Sequence, residues 1–455
     1  MARDTSDTTP LTSRDELIAW FAAGEKPRER FAIGTEHEKI PFYREGNAPV
    51  PYEGDGGVRA LLEGLGRETG WAPIEDAGNI IGLASDEGGA ISIEPGGQFE
   101  LSGAPLPDVH ATVAELEAHL AATGRVAGPL GIGFLTLGMS PKWRRDQTPV
   151  MPKSRYRIMA GYMPKVGSLG LDMMLRTATV QVNMDFCSEA DMVRKMRASL
   201  ALQPVATALF ANSPFTDGKP NGFLSRRSEI WRDTDADRTG MLPQAFAPGF
   251  GYEAYAEWLL DVPMYFVKRG DTYHDVSGAS FRDLMDGRLP QLPGERATVS
   301  DWANHASTVF PEVRLKRFLE MRGADVGDPA MIAAQAAFWT GILYDDGALD
   351  AALALVAEWD EAEREALRAT APRLGLATTV DGRSLGAVAA EALAIARRGL
   401  QARARRDGLG RDESVYLQPL EAIVASGRTH AEVLLAEFDG PWRRCINPVF
   451  GTQTF

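Results

Sequence analysis

The segment from Arg176 to Phe186 alternates strictly between apolar and polar side chains, and no other feature of the chain constrains the fold as strongly. Its apolar positions are Ala178, Val180, Val182, Met184 and Phe186, and its polar positions are Thr177, Thr179, Gln181, Asn183 and Asp185. A two-residue period is typical of a β-strand that packs one face on a hydrophobic core. Because the other positions are polar, we predict a sheet with one buried face and one face available for chemistry.

Acidic side chains repeat this spacing in two further segments. Glu36 and Glu38 lie two residues apart, and so do Glu320 and Arg322. Residues two apart on a strand point to the same side, so each segment can present two polar groups to one surface. Carboxylates on such a surface can hold Mg²⁺ together with the phosphates of a nucleotide. The pattern therefore predicts an enzyme that uses ATP.

Composition excludes several classes of protein. The chain has 455 residues, of which 44% are hydrophobic, and can therefore bury a large core. A net charge of −14 argues against nucleic acid or an anionic membrane as the main partner, and no apolar run approaches the length of a membrane span. The start of the chain is polar, and two cysteines are too few for a disulfide framework. We therefore expect a cytoplasmic enzyme.

The elements suggest one catalytic unit over residues 1–455. We predict a sheet-containing core over 26–328 and a mainly helical part over 329–455 that packs on it, since Asp328 followed by proline is a helix start. A long apolar helix after Ser188 should be interrupted at Pro204. Residues 212–250 are rich in Gly, Pro, Asn and Arg, and such an irregular segment is more often functional than idle.

Familiar nucleotide and hydrolase motifs are missing from the sequence. It contains no Gly-x-x-x-x-Gly-Lys-Ser/Thr loop, no Gly-x-Gly-x-x-Gly turn, no His-Glu-x-x-His and no Gly-x-Ser-x-Gly. His37 lies between Glu36 and Glu38 and must point to the opposite face of the strand. ATP would therefore be held by carboxylate-bound metal ions and by Arg or Lys side chains.

The acidic and amide side chains on or beside predicted strands supply candidate metal ligands. Two or three Mg²⁺ ions would need roughly four to six protein groups. The candidates are Glu36, Glu38, Glu94, Gln98, Glu100, Gln181 and Glu320.

Each of these signals also has a simpler interpretation. Two acids two residues apart on a strand can be a solvent-facing pair, and the polar face of residues 177–185 can be a sheet surface covered by a loop. Glu320 and Arg322 can belong to a surface ion-pair set with Arg314, Lys316 and Arg317. The number of signals, rather than any single one, favours a functional site.

Seven blocks resemble the plant and proteobacterial form of glutamate–cysteine ligase. They are 33–39 (IGTEHEK), 94–102 (EPGGQFELS), 163–174 (MPKVGSLGLDMM), 176–185 (RTATVQVNMD), 211–222 (ANSPFTDGKPNG), 231–243 (WRDTDADRTGMLP) and 319–325 (LEMRGAD). The resemblance runs in order from about residue 30 to the end of the chain. It implies an α+β, glutamine-synthetase-like fold, in which a curved, mainly antiparallel sheet forms a funnel surrounded by helices.

The resemblance also implies a two-step reaction. ATP would phosphorylate the γ-carboxylate of L-glutamate, and the amine of L-cysteine would then displace phosphate to give γ-glutamylcysteine, the first step of glutathione biosynthesis. The partners would be L-glutamate, L-cysteine and ATP, with Mg²⁺ as the cofactor. Catalysis of this kind depends on positioning and on neutralisation of charge, so no protein nucleophile is needed.

Roles for individual residues follow from the same resemblance. The metal ligands would be Glu36, Glu38, Glu94, Glu100, Gln181 and Glu320. Arg322, Asn183 and Lys165 would contact the nucleotide, and Arg322, Arg238 and Lys165 would assist the chemistry. The substrate-binding residues would be Arg238 (the first candidate for the α-carboxylate of glutamate), Arg227, Trp231, Tyr162 and Arg176. A loop-stabilising role is the alternative for Arg227 and Arg238.

Three questions stay open at this point. Plant members carry additional cysteines that form redox-sensitive disulfides, whereas Cys187 and Cys445 match none of those pairs, so we expect two unpaired, largely buried thiols. The same chemistry can join glutamate to a different amine, and a non-catalytic nucleotide-binding regulator is a further alternative. We expect a monomer or a homodimer.

Overall fold

The computed structural model describes residues 7–455, which form a large sheet surrounded by helices. In chain order the strands of the described residues are β1 (Ile33–Tyr43), β2 (Ala72–Asp76), β3 (Asn79–Ala84), β4 (Ala90–Ile93), β5 (Phe99–Ser102), β6 (Ile132–Leu135), β7 (Thr179–Met184), β8 (Phe215–Thr216), β9 (Lys219–Pro220), β10 (Thr239–Gly240), β11 (Phe266–Arg269), β12 (Thr272–Asp275), β13 (Phe310–Pro311), β14 (Val313–Leu315), β15 (Leu319–Asp325), β16 (Thr379–Val380) and β17 (Arg383–Ser384). Strands β1–β7, β14 and β15 form the large sheet, and the others pair in short two-stranded ribbons.

The helices cover the sheet and make up most of the last third of the chain. They are α1 (Arg14–Ala22), α2 (Val58–Thr69), α3 (Val109–Ala127), α4 (Ser154–Tyr162), α5 (Gly170–Arg176), α6 (Glu189–Leu209), α7 (Arg226–Trp231), α8 (Tyr252–Asp261), α9 (Phe281–Met285), α10 (Val299–Ser307), α11 (Pro329–Leu343), α12 (Asp346–Leu355), α13 (Glu361–Leu374), α14 (Leu385–Arg403), α15 (Gln418–Ser426), α16 (His430–Asp439) and α17 (Val449–Thr452). None of the helices within residues 7–455 has the length and apolar character needed to cross a membrane.

The order of strands in the large sheet places the polar segments side by side. The order is β14-β15-β7-β1-β5-β4-β3-β2, and β6 pairs with the far end of β1. Every pairing in this sheet is antiparallel. The predicted mainly antiparallel sheet with surrounding helices is therefore confirmed.

The two faces of β7 are used as its alternating sequence predicts. Val180, Val182 and Met184 are fully buried in the main hydrophobic core, where α11 packs on β7 and α6 packs on β15. Thr179 and Gln181 point to the other side, into an open cleft. Burial of the apolar side chains thus determines which side chains of this strand reach the cleft.

The prediction that Pro204 interrupts its helix is wrong. Helix α6 continues from Glu189 to Leu209 through Pro204, and Ser188 caps it by accepting from the Asp191 N–H. A proline inside a helix removes one hydrogen bond and costs about 3 kcal/mol. The neighbouring Leu202 and Val205 are fully buried, so burial of the apolar side chains of this helix offsets the loss.

The C-terminal helices begin where the sequence predicts. Asp328 caps α11 by accepting from the Met331 N–H at 2.9 Å, with Pro329 in the first helical position. The largest cluster of buried apolar residues extends from Leu11 to Phe450 and so includes both parts of the chain. The division at residue 328 into a core and a helical part stays a prediction.

Candidate active site

The polar face of the large sheet forms the floor of a cleft that encloses about 910 Å³ of empty space, including the solvent at its mouth. Its charged and amide lining residues are Glu36, Glu38, Glu94, Gln98, Glu100, Arg155, Gln181, Arg227, Arg314 and Arg322. Strands β1, β4, β5, β7 and β15 supply or adjoin most of these groups. The polar sheet face predicted from the sequence therefore lines a cavity.

The register of the strands brings the separate acidic segments together. Glu38 on β1 pairs directly with Glu100 on β5, and Glu36 on β1 pairs with Gln181 on β7. Directly paired residues project from the same face with Cβ atoms about 5 Å apart. Glu94 lies just after β4, the neighbour of β5. Side chains that are far apart in sequence thus form one acidic wall.

We define the acidic wall as Glu36, Glu38, Glu94 and Glu100. Burial, and then the negative charges of Glu100 and Glu94, raise the pKa of Glu38 well above its ordinary value. One Glu38 oxygen accepts from the Thr179 N–H at 3.0 Å, which fixes its position. Carboxylates so close together repel each other unless a cation lies between them.

Arginines line the same cleft. The Arg227 side chain on α7 is buried, and its Nη2 donates to the Arg322 carbonyl at 2.9 Å. Within residues 7–455 its Nε and Nη1 atoms are buried without a hydrogen-bond partner. Arg322 on β15 donates from Nη1 to Gln181 Oε1 at 2.6 Å. Buried donors that face a cleft without a protein partner are suited to an anionic ligand.

Glu320 lies at the centre of a buried ion-pair network. It is fully buried and accepts from Arg314 Nε at 2.6 Å and from Arg322 Nη1 at 3.0 Å, with Lys316 Nζ at 3.4 Å. These cations outweigh its burial and hold the pKa of Glu320 well below its usual value. The predicted role of Glu320 as a metal ligand does not fit this arrangement, because three cations already neutralise it. Of the ion-pair set considered from the sequence, Arg314, Lys316 and Arg322 join Glu320 in the interior, whereas Arg317 is exposed.

The acidic wall fits a hard divalent cation. No three His, Cys, Asp or Glu side chains in the described part of the chain already form a ready-made metal-binding group. The wall nevertheless offers carboxylate oxygens, which Mg²⁺ prefers, and the repulsion that raises the pKa of Glu38 is relieved by a cation. The donor chemistry and the electrostatics therefore both fit Mg²⁺.

The amide residues near the wall have different surroundings. Asn183 donates from Nδ2 to Glu36 Oε1 at 2.8 Å and thereby orients that carboxylate. Gln98 is a structural clamp and not a free ligand: Oε1 accepts from the Gly96 N–H, and Nε2 donates to the Met174 and Thr177 carbonyls. Gln181 accepts from Arg322 and lies in the cleft.

Arg238, the first candidate for binding the α-carboxylate of glutamate, lies in the protein interior. It is fully buried, its Nε pairs with Asp235 Oδ2 at 2.5 Å, and Nη1 and Nη2 donate to the Thr308 and Pro263 carbonyls at 3.2 and 2.7 Å. Its guanidinium also lies 3.8 Å from the centre of the Tyr265 ring. The structure therefore does not bring Arg238 to the cleft, because each of its three guanidinium nitrogens has a partner in the fold.

Three further candidates also lie outside the cleft. Tyr162 is buried and packs edge-on against Tyr265, with ring centres 5.4 Å apart. Lys165 is exposed at the end of a short 3₁₀ turn. Arg176 is buried and pairs with Asp172 at 3.2 Å and Asp217 at 2.6 Å. The structure does not bring these three predicted site residues to the cleft.

Sequence reasoning missed several lining residues. Arg155 and Tyr156 come from α4, and Arg314 comes from β14. The apolar part of the cleft consists of Met159, Met173, Met174, Trp231, Phe266 and Phe310, of which only Trp231 was predicted. The basic and aromatic composition of residues 151–165 was a usable signal for α4. The methionines and phenylalanines of the cleft gave no signal in the sequence, because the same residue types fill ordinary hydrophobic cores.

The fold matches a solved structure. The crystal structure of glutamate–cysteine ligase from Francisella tularensis in complex with AMP aligns with a TM-score of 0.55 over 94% of this chain and 88% of that chain, at 12% sequence identity. Similarity at this level establishes the fold alone. The glutamine-synthetase-like sheet and its cleft of carboxylates and arginines define the structural class of the protein.

Sequence comparison identifies the family within this class. The model of glutamate–cysteine ligase family 2 matches residues 32–450. The chain is 53% identical to the chloroplastic glutamate–cysteine ligases of Arabidopsis thaliana and Brassica juncea, over 97% of its own length and 83% and 84% of theirs. The chain belongs to the glutamate–cysteine ligase family 2. Its reaction is the ATP-dependent synthesis of γ-glutamylcysteine, the first step of glutathione biosynthesis.

The comparison contradicts the predicted cytoplasmic location. The relatives from Arabidopsis thaliana, Brassica juncea and Medicago truncatula are all named as chloroplastic enzymes. Composition and the polar start of the chain did not carry this information. The thiols also differ in part from expectation: Cys187 and Cys445 are unpaired as predicted, but Cys445 is exposed and Cys187 is only partly buried.

Proposed function

We propose that the cleft on the polar face of the sheet carries out both steps of γ-glutamylcysteine synthesis. The observation that supports this most directly is that the acidic wall shares one cavity with the guanidinium groups of Arg227 and Arg322. A triphosphate needs cations from both sources, namely metal ions held by carboxylates and arginine side chains. The sheet provides both within the same space.

Glu36, Glu38, Glu94 and Glu100 would hold Mg²⁺, and Gln181 would contribute an amide oxygen. Bound there, Mg²⁺ would shield the negative charges of the ATP phosphates. Asn183 supports this role from the protein side because its hydrogen bond fixes Glu36. The number of ions stays a prediction.

Arg322 would stabilise the transferring γ-phosphoryl group. Burial, and then the nearby positive charge of Arg314, lower the pKa of Arg322 to about 10. This value keeps the guanidinium charged at neutral pH. Because Arg314, Lys316 and Arg322 share the single carboxylate of Glu320, part of their positive charge remains available to an anion. Glu320 and Gln181 orient Arg322 by accepting from its Nη1 at 3.0 and 2.6 Å.

Arg227 would bind the α-carboxylate of glutamate, since it is the buried cleft arginine with unpartnered donors among the described residues. The γ-carboxylate oxygen would then attack the γ-phosphorus, and ADP would leave. The amine of cysteine would next attack the acyl carbon, releasing phosphate and a proton. No side chain forms a covalent bond in either step, so the positioning of the substrates supplies most of the rate enhancement.

Trp231 would shape the substrate side of the cleft. Its ring lies 5.4 Å from that of Phe310, and the Arg322 guanidinium lies 5.5 and 6.0 Å from the centres of the Phe310 and Trp231 rings. Aromatic faces of this kind favour a cation nearby and exclude water from the reacting acyl phosphate.

A product assay tests this function. Purified protein would be incubated with ATP, Mg²⁺ and L-glutamate, with L-cysteine or a panel of other amines as the acceptor, and ADP and the peptide would be quantified. We expect γ-glutamylcysteine and ADP in equal amounts. Turnover with another amine but not with cysteine would contradict the acceptor, and the absence of turnover with every acceptor would contradict catalysis in this cleft.

A further inference from the structure

Asp325 is an acidic side chain outside the cleft that connects the two elements carrying its arginines. It is the last residue of β15, the strand of Arg322, and only 1% of it is exposed. Its oxygens accept hydrogen bonds from the chain that leads into α7, the helix of Arg227. Nothing in the reaction uses this carboxylate directly.

Three donors converge on the Asp325 carboxylate. Oδ2 accepts from Ser213 Oγ at 2.6 Å and from the Asn212 N–H at 2.9 Å. Oδ1 accepts from Ser225 Oγ at 2.9 Å. Hydrogen bonds to an ionised carboxylate are stronger than those between neutral groups, so this connection is firm.

The two serines relay the position of the carboxylate to α7. Ser213 Oγ accepts from the Arg227 N–H at 3.2 Å, and Ser225 Oγ caps the helix by accepting from the Ser228 N–H at 3.3 Å. A hydroxyl group has one proton and two lone pairs. Because an ionised carboxylate can only accept, the Ser213 hydroxyl proton points to Asp325 and its lone pairs remain for the Arg227 N–H. Ser225 Oγ lies 2.9 Å from both Asp325 Oδ1 and Ser228 Oγ, and so connects the carboxylate to the first turn of α7.

Asp325 also supports the charge of Arg227. Burial lowers the pKa of the Arg227 guanidinium, and Asp325 is the leading charge that opposes this effect, ahead of Glu38. The Arg227 side chain in turn donates to the Arg322 carbonyl on the strand of Asp325. The end of β15 therefore fixes the position of α7, contacts the Arg227 side chain and stabilises its positive charge.

Gly138 lies close to the Asp325 carboxyl group. A Cβ atom at Gly138 would lie 2.4 Å from the Asp325 Cγ atom, so the backbone of residue 138 packs directly against the carboxyl group. The Gly138 N–H donates to the Asn212 carbonyl at 3.0 Å and closes the arrangement on that side. A glycine is required here for steric reasons.

We propose that Asp325 is a positioning residue for glutamate binding, which fixes α7 so that Arg227 faces the cleft as a charged group. This inference rests on the proposed role of Arg227 in holding the α-carboxylate of glutamate. Asp325 acts entirely through Ser213, Ser225 and the charge of Arg227.

Asp325→Asn tests the proposal, because it keeps the volume but replaces one acceptor oxygen with a donor and removes the charge. The matched control is Asp185→Asn, another buried aspartate at a strand end, which accepts from Lys26 Nζ at 2.7 Å and the Ala32 N–H at 2.8 Å. Steady-state kinetics of the full chain should give a KM for glutamate raised about tenfold in Asp325→Asn, with the KM for ATP changed less than about twofold. Asp185→Asn should leave both KM values unchanged.

A double-mutant cycle with Arg227→Ala separates positioning from a general structural effect. If Asp325 acts through Arg227, Asp325→Asn adds little to the glutamate KM in the Arg227→Ala background. A full tenfold effect in that background, or an equal rise in the KM for ATP, would overturn the positioning role. An unchanged glutamate KM in Arg227→Ala alone would overturn the proposed role of Arg227 and this inference with it.

A milder variant covers the case in which Asp325→Asn does not fold. Ser213→Ala removes one link between the carboxylate and the Arg227 N–H and leaves Ser225 in place. It should raise the KM for glutamate about threefold, less than Asp325→Asn does, because only one of the two serine links to α7 is lost. An unchanged KM in a folded Ser213→Ala protein would overturn the proposal.

Discussion

At the scale of single residues, Glu38 is a cleft residue that lowers the stability of the folded protein. It faces Glu100 across the strand pair and lies near Glu94, and burial together with these charges raises its pKa. An acid whose pKa is raised by folding destabilises the folded state at every pH above its ordinary value, 4.5. Charge repulsion in the acidic wall therefore destabilises the folded protein until a cation binds there.

Glu38→Gln should remove turnover and stabilise the protein when no divalent cation is present. We expect activity to fall at least about 100-fold because a charge used in phosphoryl transfer is lost. The gain in melting temperature in EDTA should grow as the pH rises above 4.5. Glu45→Gln, at an exposed glutamate just after β1, is the control. Retained activity, or a lower melting temperature in EDTA, would contradict the assignment.

Arg322→Lys should reduce kcat by about 10²- to 10³-fold with a smaller change in the KM for glutamate. A lysine retains the charge but lacks the planar guanidinium, whose Nη1 donates to both Gln181 and Glu320. The fold should persist because Arg314 and Lys316 still neutralise Glu320. Arg317→Lys, at an exposed position in the turn between β14 and β15, is the matched control. A kcat that falls equally in both variants would argue against a role in catalysis.

Arg227 and Arg238 show which property of single residues could not be predicted from the sequence. Both lie in the same irregular segment, and either could bind a carboxylate on chemical grounds. Arg238 is instead fully used by Asp235 and two backbone carbonyls, whereas Arg227 retains free donors among the described residues. Side-chain type indicates the chemistry available, but the tertiary partners decide which arginine remains available to a substrate.

At the scale of elements, alternation predicted the strands and their faces, and pairing supplied what sequence could not. Thr179 and Gln181, two polar positions of β7, reach the cleft as expected, because Val180 and Val182 must be buried. The match of Glu36 with Gln181 joins segments far apart in sequence, and no local pattern encodes such a register. The course of α6 through Pro204 also depends on tertiary burial rather than on local propensity.

The turn between β4 and β5 offers a test at this scale, because Gly96 touches another element. A Cβ atom at residue 96 would lie 2.1 Å from the Leu175 carbonyl oxygen at the end of α5. Gly96→Ala should therefore lower the free energy of unfolding by about 2 kcal/mol and shift Glu94 and Glu100. Denaturant unfolding measures this change. Gly124→Ala, in α3 with no atom within 4 Å of the added Cβ, should stabilise the protein by up to about 1 kcal/mol; equal stability of the two variants would contradict the close contact.

At the scale of the whole molecule, the fold encloses ionisable groups that the cleft does not use. His37 and His119 pack edge-on beneath β1 with ring centres 5.6 Å apart, and burial together with the charge of Lys39 lowers both of their pKa values well below the ordinary 6.5. His305 lies in α10, where burial lowers its pKa to about 4. The sequence identified His37 as pointing away from the acids, but the partners of these histidines come from helices whose packing it did not indicate.

Acid should therefore destabilise the protein through its buried histidines. The unfolded chain takes up a proton on His305 as the pH falls below 6.5, whereas the folded protein does so only near pH 4. Stability thus decreases as the pH falls through this window, by about 3 kcal/mol for this residue. His305→Gln keeps a donor for the Leu259 carbonyl, which His305 Nε2 contacts at 2.9 Å, but it cannot titrate. Its free energy of unfolding should therefore depend less on pH between 4 and 6.5 than that of the parent. At pH 8 His305 is neutral in both the folded and the unfolded parent, so a difference in stability between parent and variant at that pH reports packing alone. An unchanged pH dependence in His305→Gln would show that the His305 site is open to water.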